Sequence, residues 1–270
     1  MYHYTSEDGF RDILTSSSLW LTSAHYMDDP SDCKWIYKLL QERIESVSCS
    51  SEKEALKAFI FHCKINYPIP YIASFSLVKD DISQWDRYAN NGKGVLIEFK
   101  KEYFGEEKLP SQNVLRTHNL THHRVEYRKN VHDKFVNDIV EKVLDAYKKS
   151  NEGEQELEKV KAYCSLMVNQ HSMIFKCPAY NSEKEIRVIH TPFRFSGEIV
   201  SYEEGGCVGD LRVRPSSHSE ETPYFVLQFP KRAINSVTVG PKNPNLEDVN
   251  NFAIKCGYDI PVRQSMVPFR

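Results

Sequence analysis

The spacing of apolar residues changes several times along the chain, and each change predicts an element. Tyr2 to Thr5 alternates aromatic and polar side chains at the period of a short strand. Ser6-Glu7-Asp8-Gly9-Phe10 supplies a cap and an acidic first turn for a helix through Leu14, and Leu19-Trp20-Leu21-Thr22 reads as a second short strand. Tyr26 to Asp32 is a turn, because Asp side chains bond locally and Pro30 fixes φ. From Asp32 to about Lys64 the helical recurrence of Ile36, Leu39, Leu40 and Ile44, then Ala55, Leu56, Phe59, Ile60 and Cys63, predicts two helices broken around Ser46 to Ser51. Tyr71 to Leu77 and Val95 to Phe99 are strands, the second reached through Gln84 to Gly94, whose Gly92 and Gly94 allow a tight turn.

Val131 to Gln170 is helical, with Phe135, Ile139, Val143, Leu144 and Tyr147 on one face and a charged break at Ser150-Asn-Glu-Gly-Glu. Strands return at Glu185 to His190, Tyr224 to Phe229 and Ile234 to Val239, the last stopped by Gly240-Pro241. A helix from about Asn245 to Cys256 closes against Gly257. No internal repeat or low-complexity linker interrupts this order. The expectation is one α+β domain over residues 1–270, with a helical insertion at approximately 131–173.

Composition adds exclusions. Hydrophobic residues at 40% and charged residues at 27% are a globular balance, and a formal net charge of −2 gives no global basic field, although a local basic groove stays open. No apolar run approaches the roughly 20 residues that span a bilayer, and the first residues lack a basic segment followed by an apolar one. The expectation is a cytoplasmic protein that does not engage a membrane. Seven scattered cysteines, with no CxxC pair, read as free thiols rather than a metal or redox motif.

Four groups carry candidate chemistry. In Tyr2-His3-Tyr4-Thr5, a His flanked by rings and a hydroxyl can hydrogen-bond a ribose while a ring stacks on a base; the plain alternative is a strand with a satisfied His. Ser74-Phe75-Ser76 turns both hydroxyls to one strand face, or is simply a half-buried strand. In Glu183-Lys184-Glu185-Ile186-Arg187, strand periodicity places Glu183, Glu185 and Arg187 on one face. The two carboxylates, about 7 Å apart, can hold unequal pKa values, or the face is solvated and self-paired. His118-x-x-x-His122-His123 would suit a metal only on a helix with a further ligand, and no metal is expected.

Together these groups form a longer order: Tyr-His-Tyr-Thr, Asp28-Asp29-Pro30, Ser-Phe-Ser, Trp85-x-x-Tyr88 with Gly92-Lys93-Gly94, Phe175-Lys176-x-Pro178-Ala179-Tyr180, Glu-x-Glu-x-Arg, Gly240-Pro241 and Ser265-x-x-Pro-Phe-Arg. Over nearly the whole chain this resembles a widespread bacterial family of uncharacterised domains, which usually has Asn-Asp-Pro where this chain has Asp28-Asp29-Pro30. That family in turn resembles the ADP-ribosyltransferase superfamily, including DNA-modifying toxin enzymes and RNA 2′-phosphotransferases. The second resemblance implies split mixed or antiparallel sheets and NAD as substrate. It also implies a three-part site of His3, Ser74 or Ser76, and Glu185.

On that resemblance Glu185 stabilises the developing ribosyl cation and Glu183 orients or deprotonates the acceptor. His3 and Thr5 hold the ribose, Tyr4, Trp85 or Tyr88 stack on rings, and Lys176 or Arg187 balances the pyrophosphate. The acceptor is a nucleic acid or a protein, in a toxin or phage-defence setting. The competing readings are a non-catalytic nucleotide- or nucleic-acid-binding module and a hydrolase of RNA or nucleotides. The sequence leaves the oligomeric state open.

Overall fold

The computed structural model describes residues 1–27, 29, 31–109, 120–149, 154–192, 194–195, 198–199, 208–216 and 219–268. Asp28, Pro30, His118, Cys207, Phe269, Arg270 and most of the expected break after Lys149 lie outside the described residues.

Strand β1 (Tyr2–Thr5) leads into α1 (Glu7–Ser16), where the Ser6 side chain caps the helix by accepting from the Gly9 amide. Strand β2 (Ser18–Ser23) follows, then helices α2 (Trp35–Glu45) and α3 (Ser50–Ile65), and strand β3 (Tyr71–Ser76). Part of the polar connection expected before the next strand is a helix, α4 (Ile82–Tyr88), capped by the Asp81 carboxylate on the Ser83 and Gln84 amides. Its short length gives little periodicity to read. After it, Asn90, Asn91 and Gly92 all take positive φ and turn the chain into β4 (Val95–Phe99).

Two further strands, β5 (Glu106–Glu107) and β6 (Leu120–Arg124), precede helices α5 (Lys129–Lys149) and α6 (Glu154–Ser172). His122 and His123 therefore sit on a strand, not at helical spacing. A 3₁₀ helix, Pro178–Glu183, leads to β7 (Glu185–His190). Glu183, expected on the same strand as Glu185, instead ends that helix, and Lys184 at a φ of 45° makes the corner between them. The chain continues through β8 (Arg194–Phe195), β9 (Glu198–Ile199), β10 (Val208–Arg214), β11 (Thr222–Gln228), β12 (Ile234–Val239), α7 (Leu246–Lys255) and β13 (Val262–Gln264).

Among the described residues eleven strands form one mixed sheet, and β8 pairs with β9 apart from it. The β12–β13 and β5–β6 pairs are parallel, and the other pairs of the large sheet are antiparallel. Strand β3 organises the middle. One edge pairs with β7 along its whole length, from Tyr71↔His190 to Ser76↔Glu185. On the other edge Tyr71 and Ile72 pair with β2, Ser76 pairs with Tyr2 of β1, and among the described residues Ala73 to Phe75 have no strand partner between them. The sheet is split there, with β1 and β2 diverging from a shared neighbour.

Side-chain alternation assigns each face its cover. Tyr71, Ala73, Phe75, Ile186 and Val188 join the apolar core that includes Phe10 and Leu14 of α1 and Val249 and Ala253 of α7. Ile72 and Ile189 face the other way, into a core built by α2, α3, α5 and α6. The helices expected over 131–173 therefore share one layer with the two N-terminal ones. A third, small cluster places Tyr4 and Leu96 against Trp85 of α4. Between these two covers the same sheet face carries polar residues, and beyond them it carries Ser18, Trp20 and Thr22 of β2 beside β11 and β10.

Candidate functional site

A cleft of about 1120 Å³ opens at the split, with β3 as its floor. His3 fills part of the gap: its Nδ1 lies 3.2 Å from the Ser74 carbonyl oxygen, on the stretch of β3 that has no strand partner on this edge. A carbonyl only accepts, so the neutral ring carries its proton on Nδ1 and presents Nε2 as an acceptor. Burial lowers the His3 pKa against the opposing pull of that carbonyl, keeping the ring neutral at neutral pH. Thr5 is held close beside it by two glycines. A Cβ on Gly9 would stand 2.3 Å from Thr5 Oγ1, and one on Gly94 would stand 2.1 Å from the Thr5 carbonyl oxygen.

The charged centre comes from four separate segments. Arg187, fully buried on β7, donates from Nε to Glu185 Oε1 at 2.8 Å, from Nη2 to Glu185 Oε2 at 2.9 Å and to Asp32 Oδ2 at 2.8 Å, and from Nη1 to the Met173 carbonyl at 2.9 Å. Lys176, just beyond α6, donates to Glu183 Oε2 at 2.7 Å and to Glu185 Oε2 at 3.2 Å, and lies 3.8 Å from Asp32. Both carboxylates of the Glu-x-Glu run thus meet one ammonium, although only Glu185 is on the strand. Tyr88 donates its hydroxyl to Glu183 Oε1 at 2.9 Å, and Arg87 reaches the same oxygen at 3.5 Å from a half-exposed position. Three buried carboxylates face two buried cations, which leaves one negative charge in excess before Arg87 is counted.

This balance sets the protonation states. Burial alone would raise the Glu185 pKa, but Arg187 and then Lys176 outweigh it and hold the carboxyl at about 2. Burial would likewise lower that of Lys176, and Glu185, Asp32 and Glu183 together more than reverse it, so the ammonium stays charged above its ordinary range. The Ser74 hydroxyl completes no hydrogen bond of normal geometry, though it lies near enough to add to the ionisation of Glu185. The Ser76 hydroxyl is used structurally: it donates to the Glu183 carbonyl and accepts from the Val78 amide.

The cleft brings His3, Tyr4, Thr5, Ser74, Ser76, Tyr88, Lys176, Glu183 and Glu185 together. Two expected residues are elsewhere. Trp85 is fully buried, edge-on to Tyr4 at 5.1 Å and donating from Nε1 to Asp80, so its ring offers no face to a ligand. Arg187 stands behind Glu185 and does not line the cleft; its donors are spent within the protein. Tyr4 lines the cleft, but its hydroxyl is already committed, donating to the Val78 carbonyl and accepting from the Asp81 amide, and burial pushes its pKa up to about 12.

The sequence reading missed Asp32, Arg87 and the basic pair Arg212 and Arg214. Asp32 belongs to a turn rich in aspartates, where local bonding is the natural reading, and its real partner is 155 positions away. Arg87 was available inside Trp85-x-x-Tyr88 as the one cation of α4. Among the described residues no cluster suits a metal ion. The described cysteines are free, and burial beside Asp32 pushes the Cys33 thiol up to about 12, leaving it unreactive.

Residues 84–188 match a family described as Protein of unknown function (DUF2971). The DUF2971 stretch runs from α4 to β7 and contains Tyr88, Lys176, Glu183, Glu185 and Arg187, whereas His3, Asp32 and Ser74 precede it. No curated protein and no solved structure matches the chain. Among the described residues, no helix is long and apolar enough to cross a membrane.

Proposed function

We propose that this chain is an NAD-dependent ADP-ribosyltransferase-like enzyme whose reaction takes place at the Ser74–Glu185 end of the cleft. The observation that carries the reading is the convergence of His3 from β1, Ser74 from β3 and Glu185 from β7 in one cleft at a split sheet. The whole cleft is larger than common small-molecule pockets, which leaves room for a dinucleotide in part of it. The charge also fits. The nicotinamide ring of NAD is cationic, and the ribose gains oxocarbenium character as the nicotinamide leaves with the bonding electron pair, so the carboxylates of Glu183 and Glu185 in the cleft lining favour both.

In this reading Glu185, ionised at neutral pH, faces the ribose and stabilises the growing positive charge, and Arg187 fixes the carboxylate rather than touching substrate. His3 Nε2 and the Ser74 hydroxyl supply hydrogen-bonding positions for the ribose. Glu183, at the corner and reached by Tyr88, accepts the proton of the incoming nucleophile once the glycosidic bond has loosened. Incubating the full chain with NAD and following free nicotinamide, with and without nucleic acid or protein acceptors, tests the proposal. Release over many turnovers supports it; saturable NAD binding without release overturns the catalytic part.

A second reading rests on one specific feature. The Glu185 carboxylate is already met by Arg187 twice and Lys176 once, which is also how a purely architectural buried acid is satisfied. A nucleotide-binding module that keeps the cleft without turnover would show the same contacts.

A further inference from the structure

At its other end the cleft runs onto the sheet face formed by β2, β11 and β10. Cross-strand pairs Thr22↔Tyr224↔Arg212 and Thr222↔Arg214 place these side chains on one face, and alternation adds Trp20. This face differs from the charged centre in three respects. Trp20, a large aromatic side chain, is 46% exposed. The Arg214 guanidinium lies 4.7 Å from the Trp20 ring centroid and 5.9 Å from that of Tyr224, and among the described residues its two outer nitrogens make only 3.4 Å contacts, to Pro215 and Thr22. Arg212 is exposed beside it, and the residues of these three strands that line the cleft include no carboxylate, in a chain that is net negative.

Cations fixed over aromatic rings on an open sheet face, with donors only weakly used, recognise a polyanion that also carries flat rings. A protein acceptor would give the arginines acidic partners but would not require two rings beside them. Among the described residues the strip ends at β10, a terminal strand in the sheet order, so a polymer can leave the cleft along it. We infer that the β2–β11–β10 face is the seat of a single-stranded nucleic acid, with bases stacked at Trp20 and Tyr224 and phosphates at Arg212 and Arg214. As the acceptor in transfer this strand rests on the enzyme reading above; as a bound partner it does not.

The test uses the full chain and a fluorescent 12-nucleotide single-stranded DNA or RNA, with binding followed by anisotropy over a salt series. Trp20→Ala should weaken binding about tenfold to a hundredfold and Trp20→Phe should restore most of it, because stacking needs a ring rather than an indole. Arg212→Ala with Arg214→Ala should reduce the slope of log affinity against log salt by about 1.4, the value for two phosphates of a single strand. Binding of NAD to the same variants, followed separately, should stay within twofold of the parent.

Oligonucleotide binding unchanged in folded variants, with melting temperatures near the parent's, would overturn the inference even if NAD is cleaved. Parallel loss of NAD and oligonucleotide binding would also overturn it, by making the strip the pyrophosphate seat. Oligonucleotide binding lost as expected in a protein that never releases nicotinamide would keep the inference and remove the enzyme reading.

Discussion

One sheet face is completed in two opposite ways. Where β3 and β7 meet the helices, Arg187 and Lys176 are buried with Asp32, Glu183 and Glu185, and the Arg187 donors are satisfied inside the protein. Where β2, β11 and β10 continue the same face, Arg212 and Arg214 lie in the open part of the cleft, with rings for neighbours in place of acids. Desolvation makes the first arrangement obligatory, because a buried charge without its partner costs several kcal/mol, and solvent makes the second permissive. The same residue type is thus architectural at one end and available for recognition at the other. The closed end presents the carboxylates of Glu183 and Glu185 to the cleft beside their cations, whereas the strands of the open end present arginines without carboxylates.

The largest expected effect follows from removing the buried cation. Arg187→Met leaves the buried Asp32 and Glu185 with Lys176 as their remaining cation, itself shared with Glu183, and frees the Met173 carbonyl, so unfolding stability should fall by about 3–5 kcal/mol. Arg212→Met, on the open strip, should shift stability by no more than about 0.5 kcal/mol. Urea melts of the two variants read the contrast directly. Equal losses would mean that the two ends are not differently built.

Acid should weaken the closed end next. The Glu185 carboxyl is held at about 2 against an ordinary value of 4.5, so the folded form binds its proton less readily than the unfolded chain. Its contribution is complete above about pH 4.5 and is lost as pH falls toward 2. With one pKa unit equal to about 1.4 kcal/mol, the loss is on the order of 3 kcal/mol. Urea stability measured from pH 6 to pH 2 should show this slope in the parent chain, and Glu185→Gln should flatten it. A parent curve without acid loss in that window would separate Glu185 from the ion cluster.

A smaller effect concerns the entrance to the split. Gly9→Ala drives a methyl into Thr5 Oγ1 and should cost about 1–3 kcal/mol unless Thr5 turns away. If Thr5 holds the ribose, NAD affinity should drop with it, whereas oligonucleotide binding at Trp20 should not. Titrating both ligands against this variant sharpens the division of the cleft.

Much of this arrangement was legible from residue order. The alternation in Tyr2 to Thr5, Tyr71 to Ser76 and Glu185 to His190 predicted β1, β3 and β7, the strands that contribute His3, Ser74 and Glu185. Strand β10 was missed because Gly209-Asp210 cuts its alternation to the four residues Leu211 to Arg214, the shortest run that reads as a strand. The position of Glu183 was misread because nothing in Glu-Lys-Glu announces a left-handed Lys184; strand spacing put the two acids on one face, whereas a corner brings both to Lys176. The saturation of Arg187 was also beyond reach, since Asp32 and the Met173 carbonyl come to it through the packing of α2 and α6 against the sheet.

The central claim is that the acidic end of the cleft stabilises a ribosyl cation, and it divides the work of the two carboxylates. The direct measurement is NAD hydrolysis and transfer to an acceptor, both followed in Glu185→Gln and Glu183→Gln, with folding checked by thermal melting. The account predicts that Glu185→Gln lowers both reactions about a hundredfold to a thousandfold while NAD binding is nearly kept, because the lost interaction strengthens in the transition state. It predicts that Glu183→Gln impairs transfer more than hydrolysis. Equal and small effects of the two substitutions in folded protein would contradict the account and leave the cluster as architecture around a binding cleft.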